Sequence, residues 1–279
     1  MLNRKVRAKN PQLLIAEDRY VQVKKQKTSH RMKISEIKKI NPWKELTEKV
    51  ESNYFQLIPN NSLDADKKVI ENFNQKQSEL YELKTSMMPA HFTGNILKSK
   101  IVLLATNPGY VEREVENFYS NPKFIKERIL DLSFSRDSFI SDDKERIKES
   151  PYWNQKLRWL IEETNFQNVS KNIALLQFNP YHSIKFREIA KKYFKNTNST
   201  EYLDSQKYGF ILLKYCIEQD KLIVILRSKK AWLKAVPELS EYEKKGNVIT
   251  IKNKRQPFIS PNNFESKNGF NKLVNKLIV

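Results

Sequence analysis

Four short, predominantly apolar runs, each closed by a polar or proline-containing stop, constrain this chain more than any other feature. They are Lys100 to Ala105, Asn172 to Phe178, Lys221 to Leu226 and Asn247 to Ile251. A strand that is apolar without alternation is buried on both faces, the condition of a parallel sheet covered by helices. Helical patterns separate the runs: Tyr152 to Glu163 carries Trp153, Leu157, Leu160 and Ile161 on one side, and Tyr208 to Glu218 and Lys230 to Ala235 follow. Strands alternating with helices predict an α/β fold, three layers deep, around a central, mainly parallel four-stranded sheet. Right-handed crossovers bring all four strand ends to one edge, where ligands bind in open α/β sheets.

The stops are therefore the place to look for chemistry. The first strand ends at Asn107-Pro108-Gly109-Tyr110, the second at Asn179 with His182, and the third at Arg227, Ser228, Lys229 and Lys230. The fourth leads through a basic linker to Ser260, Asn262 and Asn263. Amides, an imidazole, cations and flanking aromatics suit a phosphate backbone plus a base read by stacking and hydrogen bonds. Each residue also has a plainer reading: Asn107 can close its own turn, His182 can cap the second strand, and a basic turn can simply be solvated. Other chemistries lack their parts. With 5 Gly in the chain there is no Gly-rich phosphate loop, no Gly-x-Ser-x-Gly elbow occurs, and the strand ends carry no clustered carboxylates for Mg²⁺. Cys216 is the single cysteine and sits in an apolar stretch, which predicts a buried thiol. His30, His91 and His182 are too far apart for metal-ligand spacing, so neither metal nor cofactor is expected.

The formal charge is +19, from 51 Lys and Arg against 32 Asp and Glu, and such a field attracts polyanions, nucleic acid foremost. The first forty residues are the most basic part, with Arg or Lys at positions 4, 5, 7, 9, 19, 24, 25, 27, 31, 33, 38 and 39 against Glu17, Asp18 and Glu36. Helices are predicted over about 43–57 and 64–84, a turn-rich segment over 88–95, and further helices within 111–150. The expected organisation is a basic, largely helical extension over 1–87 packed on an α/β domain over 88–279. Met1 to Asn10 is polar with no apolar stretch behind it, and no run approaches membrane-spanning length. An intracellular, cytoplasmic monomer is expected.

Ala105-Thr106-Asn107-Pro108-Gly109, placed after a buried strand, resembles the first motif of the uracil-DNA glycosylase superfamily. It is most similar to the Gly-x-Asn-Pro-Gly form of the mismatch-specific and thymine-DNA glycosylase branch. The resemblance runs over about residues 88–279 and includes the Pro89-x-x-Phe92-x-Gly94-Asn95 approach and the closing Ile259-Ser260-Pro261-Asn262 loop. It implies that Asn107 positions a water; a carboxamide is a weak base, so the role is orientation. Gly109 stands where uracil-specific members carry an aromatic that blocks the pyrimidine 5-position, so a larger base could enter. Phe92 and Tyr110 become candidates to stack on a flipped base, or core residues. Gln177 or Asn179 could read its edge, and His182 could bond the leaving base or a phosphate. Ser260 and the Arg227–Lys230 turn match phosphate contacts, and Asn262, beside Asn263, matches a wedge residue. Phe258 departs from the family, which has a histidine there to steady the leaving base.

The resemblance implies a monofunctional DNA glycosylase of prokaryotic origin, acting on double-stranded DNA without metal or cofactor. Its substrate would be a modified pyrimidine, with the bulky glucosylated hydroxymethylcytosine of phage DNA as the leading candidate. Repair of uracil or mismatched thymine is the nearer alternative, and a catalytically inactive DNA-binding relative is the alternative of another class.

Overall fold

The computed structural model describes residues 31–115, 119–140 and 152–278. The basic stretch up to residue 30 lies outside the described residues, as does 141–151 within the segment expected to be helical. Residues Ile34–Val279 form one compact unit.

Five strands build the central sheet: β1 (Phe92–Thr93), β2 (Ile101–Ala105), β3 (Ile173–Gln177), β4 (Leu222–Ile225) and β5 (Val248–Thr250), in the order β1-β3-β2-β4-β5. The last four are the expected apolar runs and pair in parallel, Leu103 lying opposite both Leu175 and Val224. The sheet is thus five-stranded rather than four-stranded. The addition, β1, runs antiparallel along the β3 edge, with Phe92 opposite Leu176 and Thr93 opposite Leu175. Gly94 at φ +76° turns the chain out after two residues, so the strand is too short to show a periodicity.

Ten helices complete the described unit: α1 (Ile34–Lys39), α2 (Lys44–Ser52), α3 (Asp64–Asn74), α4 (Pro122–Leu132), α5 (Tyr152–Glu163), α6 (Phe166–Asn172), α7 (Asp204–Glu218), α8 (Lys229–Ala235), α9 (Glu238–Lys244) and α10 (Gly269–Ile278). One sheet face, with Ile101, Leu103, Ile173, Leu175, Leu222 and Val224, packs against Leu157 and Leu160 of α5, Val169 of α6 and Leu273 and Leu277 of α10. The alternate residues Val102, Leu104, Ala174, Leu176, Ile223 and Ile225 are buried as well, so helices cover both faces as in a three-layer α/β/α fold.

α3 stops ten residues short of the expected Lys84. Asn74 explains the stop: its Oδ1 accepts from Leu83 N and its Nδ2 donates to Leu83 O, both at 2.9 Å, folding the chain back on itself. Residues 34–87 join the α/β core through buried polar contacts. Trp43 Nε1 donates to His91 Nδ1 at 3.1 Å, and Asp66 Oδ1 accepts from the first backbone N–H of α7 at 2.7 Å. Burial raises the Asp66 carboxyl above the ordinary carboxylate range even though Tyr181 Oη donates to it.

Candidate active site

β2 is the centre of the parallel array. The chain leaves it for β3 on one side and later comes back to β4 on the other. Such a reversal opens a crevice outside the carboxyl ends of the strands. A cleft of about 1090 Å³ lies there, lined by the segment Ala105–Gly109 after β2, by Gln177 and His182 from β3 and beyond, by Arg227 and Ser228 after β4, and by Lys254, Arg255 and Pro257 after β5.

Backbone bonds fix the Asn107 turn. Asn179 N donates to Thr106 O at 2.8 Å, Phe178 N to Ala105 O at 3.0 Å and Ser183 N to Pro108 O at 3.2 Å. The Asn107 carboxamide is then oriented from behind. Its Nδ2 donates to Ser183 O and Ser183 Oγ at 2.9 Å and to Pro108 O at 3.0 Å. Its Oδ1 accepts from Thr106 Oγ1 at 3.1 Å, and one lone pair on that oxygen is left for a cleft ligand. Asn107 therefore does close its own turn, through its amide nitrogen, while its oxygen is aimed by the same contacts.

Gln177 is buried on the sheet face that also carries Leu175, lines the cleft, and leaves its Oε1 without a hydrogen-bond partner. A buried polar atom without a partner is costly unless a ligand or water completes it, so this carboxamide is a recognition group in waiting. Gly109 is exposed, and a Cβ built on it meets nothing within 4 Å, so the cleft is open at that point.

His182 is held differently from its expected role. Its Nδ1 faces Gly109 O at 2.8 Å and its Nε2 faces Met88 O at 3.1 Å, with the Tyr119 ring edge-on at 5.1 Å. Burial pushes its pKa down to about 4, with the two carbonyls pulling the other way. A neutral ring has one N–H for the two carbonyls, so His182 braces the Gly109 turn and its nitrogens are both engaged. Tyr119 Oη donates to the same Gly109 carbonyl at 3.3 Å, and burial raises that phenol to about 12.

Several expected site residues are placed elsewhere. Phe92 is fully buried and stacks on Phe134 at 4.8 Å. Tyr110 stacks on Tyr119 at 6.3 Å with Lys84 over its ring, outside the cleft lining. The Asn179 side chain accepts from Tyr181 N at 3.1 Å and so caps its own turn. Lys229 pairs with Glu243 at 2.6 Å, and Lys230 is exposed away from the lining. In the closing loop Ser260 is half-buried and Asn262 exposed, and Asn263 knits the loop by donating from Nδ2 to Phe258 O at 2.8 Å. None of these three lines the cleft. Phe258 points at α5, where Lys156 Nζ sits 3.5 Å from its ring centroid and Trp159 meets it edge-on.

The residues that sequence reasoning missed are mostly cations. Arg128, Arg136, Lys185, Lys254 and Arg255 join Arg227 in the lining, with Glu114 as its single carboxylate among the described residues. Among the described residues, Lys185, Arg227, Lys254 and Arg255 enter no salt bridge, and Arg227 spends its Nε and Nη2 protons on the carbonyls of Lys254 and Arg255. Beside them Ser228 adopts φ +53°, the left-handed region that costs a serine free energy, so the backbone is strained where the chain leaving β4 reaches the cleft. The linker's run of Lys252, Lys254 and Arg255 was the one available signal. Cys216 is buried and its thiol is raised to about 11 by burial, the inert state expected. Among the described residues no group of three or more His, Cys, Asp or Glu is placed to hold a metal, and no helix is long and apolar enough to cross a membrane.

The class defined by fold and site is a three-layer α/β protein with a basic cleft at its topological switch point. No protein-family model matches the chain, and neither a curated protein nor a solved structure matches it.

Proposed function

We propose that this chain is a monofunctional DNA glycosylase that takes a flipped, modified pyrimidine into the switch-point cleft and hydrolyses its N-glycosidic bond. One observation carries the reading: in the same cleft, Asn107 has its carboxamide oxygen aimed by three contacts of its nitrogen, and Gln177 holds a buried, partnerless carboxamide oxygen. The first suits a water that attacks C1′, and the second suits the edge of a base. The unpaired cations at the rim suit the phosphates on either side of a flipped nucleotide. The order of strand-end motifs in the sequence supports the same reading.

Asn107 Oδ1 accepts a hydrogen bond from the water and points its lone pair at the sugar. Departure of the base leaves an oxocarbenium-like sugar, to which the water adds, and the water's proton is passed to solvent. The chain thereby supplies position rather than a strong base. Openness at Gly109 and a volume slightly above the usual range for small-molecule sites favour a pyrimidine with a large 5-substituent, glucosylated hydroxymethylcytosine in particular.

The test is base release from duplexes carrying uracil, mismatched thymine, 5-hydroxymethylcytosine or its glucosylated form, with alkali cleavage of abasic sites as the readout. Release of the glucosylated base is the expected result. Release of uracil or thymine alone would make this a repair enzyme, and silence with DNA binding retained would make it an inactive DNA-binding relative.

A further inference from the structure

The site as described has nothing at the closing loop to take up charge on a departing base. Phe258 is turned toward α5, and both nitrogens of His182 face backbone carbonyls. Yet heterolysis leaves an electron pair on the base, and an anion forming inside a cleft needs a preorganised partner. Two arginines reach the cleft from α4 and the segment after it. Arg128 and Arg136 line it, with side chains 8% and 11% exposed.

Their carboxylate partners stand outside the lining. Asp131, fully buried, takes Arg128 Nη2 at 2.6 Å and Arg136 Nη1 at 3.2 Å, and Glu127 lies 3.5 Å from Arg136. Neither acid lines the cleft. Arg128 Nη1 donates to Thr93 Oγ1 at 2.9 Å, which ties the guanidinium to β1 opposite Leu175, two residues before Gln177. Of these two ion pairs it is the arginines, not Asp131 or Glu127, that line the cleft. Two ion pairs could have been built with the acids facing the ligand; here the guanidinium-bearing residues take that position. The Arg128 charge also acts on His182, where it opposes protonation of the ring.

We propose that Arg128, held in place by Asp131 and Thr93 and seconded by Arg136, carries the negative charge of the departing base. The proposal rests on the glycosylase reading and names the leaving-group partner of that same site. The C1′–N1 bond breaks with its electron pair going to the base, where the ring nitrogens and the C2 carbonyl spread the charge toward the guanidinium. The water oxygen bonds C1′, one of its protons leaves to solvent, and the departed base takes a proton back from solvent. Atoms and charge balance with no further reactant.

A binding measurement tests this without requiring turnover. The probe is free 5-fluorouracil, added to the full chain in complex with an abasic duplex and followed by fluorine NMR on both sides of the base's own ionisation. Wild type is expected to bind the anionic form about tenfold or more tighter than the neutral form, as an adjacent opposite charge dictates. Arg128→Met abolishes that preference, and Arg128→Lys keeps part of it, with a charge but no fork. Thr93→Val, which leaves both ion pairs in place, weakens the preference and covers the case in which Arg128→Met fails to fold. Equal affinity for the two forms in wild type, absence of binding, or an unchanged preference in Arg128→Met overturns the proposal. Anion preference with no release in the base panel would sink the glycosylase reading and leave the charge site standing.

Discussion

Replacing Asn107 by Asp looks conservative and even helpful, since a carboxylate is a better base than an amide. The geometry predicts the opposite. Asn107 Nδ2 is a donor surrounded by acceptors, Ser183 O at 2.9 Å, Pro108 O at 3.0 Å and Ser183 Oγ at 2.9 Å. An aspartate puts a charged oxygen against two carbonyl oxygens. Ser183 Oγ could turn its proton to the carboxylate, but it already donates to Lys185 O at 3.1 Å, so that gain is offset by a loss. Two hydrogen bonds of about 1 kcal/mol each are therefore lost, giving a destabilisation of about 2 kcal/mol for this half-buried site. For a chain of this size that lowers Tm by about 4–8 °C. Facing carbonyls, the new carboxyl is held above the ordinary carboxylate range, and its protonated form can donate to Ser183 O. Its folded-state pKa is raised, so the deficit is small at acid pH and grows as pH rises through that pKa. Denaturant melts of Asn107→Asp and wild type from about pH 4 to 7 measure this directly. Equal stability of the two proteins at every pH would refute the assigned orientation of the Asn107 amide.

Three further outcomes follow from the same structure. A Cβ on Gly209 would sit 2.4 Å from His91 Nε2, so Gly209→Ala should lose about 1–3 kcal/mol to overpacking, minus about 1 kcal/mol of helix propensity, and a higher Tm would contradict it. Burial lowers His91 to about 3 and His182 to about 4, below the ordinary 6.5, so both must stay neutral in the fold. The stability they contribute is complete above that ordinary value and is lost as pH falls, at most about 1.4 kcal/mol per pH unit for each. Asp66, shifted upward, opposes part of this loss at the acid end, and a stability that rises on acidification between about pH 6 and 4 would contradict the two histidines' burial. Reversing Lys254 and Arg255 to Glu should weaken binding to all DNA sequences alike and reduce the steepness of its salt dependence by about one unit or more per lost contact; an unchanged slope removes them from the interface.

Much of this fold is legible as pattern. Ile101 to Leu104 and Leu222 to Ile225 are apolar without alternation because both faces of a central parallel strand are buried, and that signal is strictly local. β1 and the end of α3 were not legible, because each is decided by a distant partner, Leu176 for Phe92 and Leu83 for Asn74. At the site, Asn107, Gly109, Gln177, His182, Arg227 and Ser228 do converge on one cleft, since parallel strands deliver their carboxyl ends to one edge. Side-chain direction was beyond the pattern. Phe92 and Thr93 are neighbours on a strand, and the pleat sends Thr93 toward the cleft and Phe92 into the core. Arg128 and Arg136 left no mark in the sequence, because a mixed-charge helix and the loop after it read as a solvated surface until the sheet packs beneath them.

The most direct test of the central claim compares wild type with Asn107→Ala in single-turnover base release and in DNA binding, on the duplex that wild type cleaves best. The account predicts that excision falls by about 10²–10⁴-fold, the range for a lost catalytic group, while affinity for the duplex stays nearly constant. Unchanged excision, or a loss of binding equal to the loss of excision, would contradict a water-positioning role for Asn107.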